Sequence, residues 1–182
     1  MRIKKIIILV FIILILIAVT ILVIWIGNYL RQKNELNESL NEFSKIIETG
    51  NLDDLTLTIY SGAFVDTPRP SRIDDLLKRC NPIVVDGNTL KEHINLLNQL
   101  SNMNLVPDWR KTSCLDARIY YVFETKEHGK ILYVAMWGHG NNYTNILVNG
   151  IEVKEKNIFY DIIIPFLRED KAKILEEFKQ TE

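Results

Sequence analysis

From Ile6 to Gly27 the chain reads IIILVFIILILIAVTILVIWIG, with no charged residue. No other stretch constrains the fold as much. As a helix, about 22 residues rising roughly 1.5 Å each span about 33 Å, enough to cross a hydrocarbon core about 30 Å thick. The core helix of a water-soluble protein rarely runs this long without a polar face. Here Thr20 is the one hydroxyl in the run, and it can bond back to its own helix. Trp25 stands near the far end, where an indole favours the headgroup level. The run therefore predicts a transmembrane helix, with the lipid bilayer as the partner of residues 6–27.

The flanks predict its orientation. Arg2, Lys4 and Lys5 precede the run, and Arg31 and Lys33 follow it. The excess of positive charge favours a cytoplasmic amino end and an external remainder. A cleaved signal peptide fits less well, because its apolar region spans only about 7–15 residues. Asn28-Tyr29-Leu30-Arg31 offers no small-residue cleavage site, and no cysteine follows closely for lipid attachment. The expected organisation is a cytoplasmic tip and signal anchor over residues 1–29, a juxtamembrane helix over 30–50, and an extracytoplasmic domain over 51–182. The expected location is the cell membrane, crossed once.

Beyond the anchor there is room for one domain of ordinary size. Without Arg2, Lys4 and Lys5, 19 basic residues face 23 acidic ones. That mildly acidic balance, with no basic cluster, argues against a nucleic-acid partner. Cys80 and Cys114 form no metal or redox spacing, and one disulfide or two separate thiols are both compatible with it.

Patterning predicts an α+β fold. Leu36, Leu40, Phe43 and Ile47 recur at helical spacing, and Gly50 is a natural stop. The stripe lasts about two heptads, short for a coiled coil, so docking on the chain's own domain is the favoured use. Leu55 to Tyr60 alternates as a half-buried strand, and Thr67-Pro68-Arg69-Pro70 reads as a loop. Ser71 with Asp74 reads as a capping box for a helix ending before Pro82. Pro82 to Val85 reads as a short strand closed by an Asp86-Gly87 turn. Thr89 with Glu92 then opens a helix to about Leu100, with a loop from Ser101 to Ser113 that carries Trp109.

Arg118 to Glu124 and Ile131 to Trp137 read as paired strands around a polar turn. Asn149-Gly150 is a strong hairpin signal; it pairs Val148 with Ile151 and Ile146 with Val153. These strands form a carboxyl-terminal meander. Asn157 onward is helical, with a break at Pro165. The predicted architecture is thus an N-terminal membrane helix, then one domain with a mainly antiparallel sheet and helices packed on one side. Because these local signals agree with one another, residues 51–182 are expected to fold without the anchor.

Candidate chemistry is sparse. His93 lies in a helix without a second ligand one turn away, and His128 lies in a turn. His139 sits in Trp137-Gly138-His139-Gly140-Asn141-Asn142, a connection that would carry a small envelope hydrolase if the protein were an enzyme. No nucleophile elbow, phosphate loop or dinucleotide fingerprint occurs, so no catalytic residue, metal or cofactor is assigned. Asp53-Asp54 and Asp74-Asp75 fit helix starts and turns. Asn37-Glu38-Ser39 and Asn142-Tyr143-Thr144 match the glycosylation pattern, which matters only in a pathway that reads it. The favoured reading is a non-enzymatic accessory or immunity-type module that binds another protein. Tyr120, Trp137 and His139 are its candidate binding residues, since strand aromatics that reach the surface anchor interfaces.

The stretches LTLTIYSGAFVDTPRPSRIDDLL, IVVDGNTLKEHINLLNQLSN, ARIYYVFETK and ILVNGIEVKEKNIFYDIIIPFL resemble small uncharacterised membrane-anchored proteins of clostridia-type Gram-positive bacteria. The resemblance spans roughly residues 51–168. It implies a bacterial, envelope-facing location and no particular activity.

The charge asymmetry generates a direct expectation. Protease added to intact protoplasts should digest the chain beyond Asn34; protection of the domain would place it on the cytoplasmic side.

Overall fold

A computed structural model describes residues 2–50, 52–63, 71–108, 117–137, 145–154 and 156–179. The first element, α1, runs unbroken from Arg2 to Glu48. Nothing in its sequence stops it earlier. The first proline lies far beyond it, and Gly50, at φ +65°, ends it in the left-handed region. Its first half stands clear of the rest of the protein. Each large apolar side chain from Ile6 to Ile26 is at least 43% exposed, which excludes a core helix. The helix is long and apolar enough to cross a membrane.

Its second half belongs to the core. Leu36, Leu40, Phe43 and Ile47 are buried, and Phe43 packs on Phe123 with ring centroids 4.8 Å apart. The stripe is satisfied within the chain, so the coiled-coil use does not arise for these four residues. A domain boundary at residue 51 cuts through this core.

The sheet has six strands, all antiparallel, in the order β2-β1-β3-β4-β5-β6. These are β1 (Thr56–Ser61), β2 (Ile83–Val85), β3 (Ile119–Thr125), β4 (Gly129–Trp137), β5 (Asn145–Val148) and β6 (Ile151–Val153). The last four form the expected meander. In the final hairpin Val148 pairs with Ile151 and Ile146 with Val153, the register that the Asn-Gly turn implies. Asn149 and Gly150 both take positive φ, at 48° and 81°, as a two-residue turn of this hand requires. The Asn149 side chain accepts from Tyr133 N and donates to Ser39 Oγ, each at 2.8 Å. The turn is thereby tied to α1.

One sheet face carries the main core: Leu57, Ile59, Tyr121, Phe123, Leu132, Val134, Ile146 and Val148 meet α1, α4 (Ile94–Ser101), α5 (Ile158–Asp161) and α6 (Glu169–Phe178). The Tyr121 hydroxyl, buried there, donates to Phe159 O at 3.2 Å. The exception to one-sided packing is α2 (Ile73–Arg79). Its Leu76 and Ile73 cover the opposite face, beside Tyr120, Val122 and Ala135.

Two helix starts differ from the sequence reading. Helix α2 is capped at Arg72, whose N–H donates to Asp75 Oδ2 at 3.0 Å, while Ser71 O accepts from Ala117 N. The helix thus starts one residue later than Ser71, whose carbonyl is held by Ala117 N just before β3. Asp86 and Gly87 are a cap and a first helical residue rather than a turn: Asp86 Oδ1 accepts from Thr89 N at 2.9 Å and opens α3 (Gly87–Glu92). Gly87 has a separate reason. A Cβ there would lie 1.7 Å from Leu52 O, so only glycine allows this backbone approach. The helix expected to continue to Leu100 breaks at His93, which stands edge-on to Phe166 between α3 and α4. Pro165 interrupts the carboxyl end as expected, starting a 3-10 turn (Ile164–Phe166) before α6. The Thr67–Pro70 loop and Trp109 lie outside the described residues.

Burying a Leu, Ile or Phe is worth about 1.5–3 kcal/mol. The four stripe residues together thus rival the whole stability of an ordinary domain, about 5–15 kcal/mol. A fragment of residues 30–182 should be soluble and melt cooperatively, and one of residues 51–182 should not. In the longer fragment Phe43→Ala should cost about 3–5 kcal/mol in urea unfolding. A cooperative transition from the shorter fragment would show that the stripe is dispensable.

Candidate functional site

The residues singled out from sequence do not converge. Tyr120 is 3% exposed, in the middle of a row of three tyrosines on the face that α2 covers. Its ring centroid lies 6.0 Å from that of Tyr60, its direct partner on β1, and 5.9 Å from that of Tyr133, diagonal on β4. Tyr120 is therefore out of reach of a partner, whereas Tyr60 and Tyr133 are half-buried. Trp137 ends β4, where its backbone pairs with Asn145. His139 and the sequon at Asn142 lie outside the described residues. In the other sequon, Ser39 is engaged by Asn149. Cys80, half-buried after α2, is a free thiol; Cys114 lies outside the described residues. His128 is half-exposed in the turn before β4. Among the described residues no group of three or more His, Cys, Asp or Glu side chains could hold a metal ion.

Two surface features carry more. The first is the outer strand β2, which among the described residues pairs only with β1. Its Val84 is 62% exposed, and Leu77 on the neighbouring α2 is 40% exposed. Among the described residues beyond α1 these are the large apolar side chains on the surface. A sheet edge with free backbone groups and an apolar side chain is a template for another chain.

The second is a cleft of about 560 Å³ where α1 leaves the domain. One wall is Trp25, Asn28, Tyr29, Arg31 and Gln32 of α1; the other is Pro107, Asp108, Leu147 and Gly150–Glu152. Its volume falls in the range of ligand sites, about 300–1,000 Å³. The face of α1 that fills the core at Leu36 continues through Gln32 and Tyr29 to Trp25, at the same helical spacing. Trp25 and Tyr29 stack with centroids 6.3 Å apart. Arg31 leans toward Glu35 at 3.6 Å, a loose pair between exposed side chains. Across the cleft, Asp108 N donates to Glu152 O at 2.8 Å, and Pro107 bridges to Val153. That brings the two acidic residues to one wall. The sequence reading treated Asn28–Gln32 only as a flank of the anchor. The signal for the cleft was the stripe continuing upstream of Leu36.

The tyrosine row has a measurable electrostatic signature. Burial, with Tyr133, Glu124 and Tyr60 close by, pushes the Tyr120 hydroxyl up to about 12. Burial also holds Tyr121 well above the ordinary tyrosine range, with Tyr160 adding to it. Both groups keep their protons in the folded state after the unfolded chain has lost them. The contribution of Tyr120 to stability is therefore complete below about pH 10 and lost as pH rises from there toward 12. Urea midpoints should fall across that window, and Tyr120→Phe should flatten the fall. Phenolate absorbance developing for all tyrosines together near pH 10 would contradict the assignment.

No family model, no curated protein and no solved structure matches this chain.

Proposed function

We propose that the protein is a single-pass membrane protein whose α+β domain stands outside the cytoplasm and works as a non-enzymatic module that binds another envelope protein. The observation that carries the anchoring is α1 itself. Its apolar half is exposed on every side, and its other half is locked into the core without a break. Cleavage after Gly27 would cut through the middle of a helix, which favours an uncleaved anchor over a signal peptide. The positive charge before Ile6 favours the outside for the domain.

The binding reading rests on the β2 edge. Val84 on β2 and Leu77 on α2 are exposed apolar side chains, and among the described residues no further strand pairs with β2, at the end of the sheet opposite the cleft. Four further strands separate β2 from β6, which puts the two edges about 24 Å apart. A partner strand added at β2 would not contact α1's exit from the domain.

The test is capture of a cross-linked partner from native membranes by the full-length protein, paired with rescue of a deletion strain. Val84→Asp should weaken capture by about 1–2 kcal/mol, roughly five- to thirtyfold, and impair rescue with the fold intact. His139→Ala should capture and rescue fully. The reverse pattern would turn the reading toward an enzyme that uses the Trp137–His139 segment.

A further inference from the structure

We infer that Asn28, Tyr29, Arg31 and Gln32, on the α1 wall of the cleft, form a phosphate site for a phospholipid of the outer leaflet. The inference rests on the membrane reading of α1 and adds to it what the stretch just past the apolar run binds.

The donors are in place and unused. All four side chains line the cleft, within little more than one helical turn. Among the described residues the Asn28, Tyr29 and Gln32 side chains have no hydrogen-bond partner, although Tyr29 and Gln32 are half-buried. Polar side chains drawn partly out of water are ordinarily paired. Arg31 has only its 3.6 Å contact to Glu35, between side chains 70% and 53% exposed. Such a pair is weak, and the guanidinium can exchange it for a better acceptor. The planar fork of Arg31, the amide donors of Asn28 and Gln32 and the Tyr29 hydroxyl suit the oxygens of a phosphodiester.

Height selects the source of the phosphate. Helix α1 is continuous, so each residue's distance past the apolar run follows from helical rise rather than from a linker. Asn28 to Gln32 stand about 1.5–7.5 Å beyond Gly27. The polar layer of one leaflet is about 5–8 Å thick. With Ile6–Gly27 in hydrocarbon, the four donors therefore lie at the level of the lipid phosphates. Trp25, stacked on Tyr29, lines the same cleft from inside the apolar run and opens it toward the lipid. A phospholipid reaches the site at the high local concentration of the bilayer, and a free phosphate does not.

The opposite wall takes no part in holding the ligand. Asp108 and Glu152 already have partners. The pairing of Glu152 with Leu147 sets it on the sheet face away from the main core. Recognition is thus of the phosphate itself and not of the group beyond it. A glycolipid, with sugar in place of phosphate, lacks the charge that complements Arg31.

The experiment uses the full-length chain, reconstituted into vesicles of phosphatidylcholine, phosphatidylglycerol and a galactosyl diacylglycerol in equal parts. Incorporation is checked by flotation. The protein is then extracted in mild detergent and weighed by native mass spectrometry with its retained lipid. Each phospholipid should be retained over the glycolipid by about tenfold, a difference near 1.4 kcal/mol. The two phospholipids should be retained alike, and excess inorganic phosphate should leave the pattern in place. Arg31→Gln should bring the three lipids to near parity with the thermal transition unchanged. Lys33→Gln removes the same charge from a residue that does not line the cleft, and it should keep the preference. Parity of the three lipids on the unaltered chain, or a preference between the two phospholipids as large as that over the glycolipid, would overturn the phosphate site and leave the anchor standing. So would displacement by inorganic phosphate, a preference that survives Arg31→Gln, or one that Lys33→Gln also abolishes. Failure to float with vesicles of any composition would overturn the membrane reading, and this inference with it.

Discussion

The structure depends on one unbroken helix whose two halves have different surroundings. Helix α1 is 47 residues long, about 70 Å, and its halves have opposite requirements. The first is apolar and exposed all round; the second packs one face into the core and leaves the other exposed. No proline separates them, a Cβ added at Gly27 would meet nothing within 4 Å, and α1 runs through the join without a break. Among the described residues the fold is therefore a sheet and short helices assembled on the end of a rod. A flexible stalk would let the domain sample a hemisphere of positions. A rod held by Leu36, Leu40, Phe43 and Ile47 leaves it chiefly rotation about the rod axis.

Strand β3 is the second organising element. It pairs on both edges, with β1 and β4, and all five residues from Ile119 to Phe123 are buried. Its odd and even positions serve different neighbours. Tyr121 and Phe123 face the main core, where Phe123 receives Phe43 of α1. Tyr120 and Val122 face α2 and the tyrosine row. The sequence shows this directly, since a strand buried on both faces loses alternation and reads as a continuous apolar and aromatic run.

What was legible in the sequence was local. The Asn149-Gly150 register follows from two residues whose backbone preferences allow one turn. The Pro165 break follows from a missing N–H. The helix starts lie one and three positions from the sequence reading: Asp75 accepts from Arg72 N, and Asp86 accepts from Thr89 N as the cap. Gly87 looked like a turn glycine because its true constraint, Leu52 O, lies 35 positions away. The stripe on α1 was visible, but periodicity records only that a face must be covered. Of the cleft, the sequence held only one wall, the stripe continuing upstream of Leu36; its walls come from segments about 80–120 positions apart, and no local pattern encodes their approach.

In the proposed setting the rod also changes how the domain folds. A segment in hydrocarbon has to be helical, because the bilayer offers no other partner for its backbone groups. Residues beyond Gly27 then extend a helix that already exists, instead of starting one. Starting a helix carries a statistical weight of about 10⁻³, equivalent to about 4 kcal/mol. Extension avoids that cost, so the stripe from Leu36 to Ile47 is presented to the folding sheet already arranged on one face. In a fragment without the apolar run, the same stripe has to form and dock together. The polar residues between the membrane and the core, Asn28 to Glu35, bury little and do not hold themselves helical by packing. The helix on either side of them does, which is why a segment with few contacts can still fix the domain's height above the bilayer.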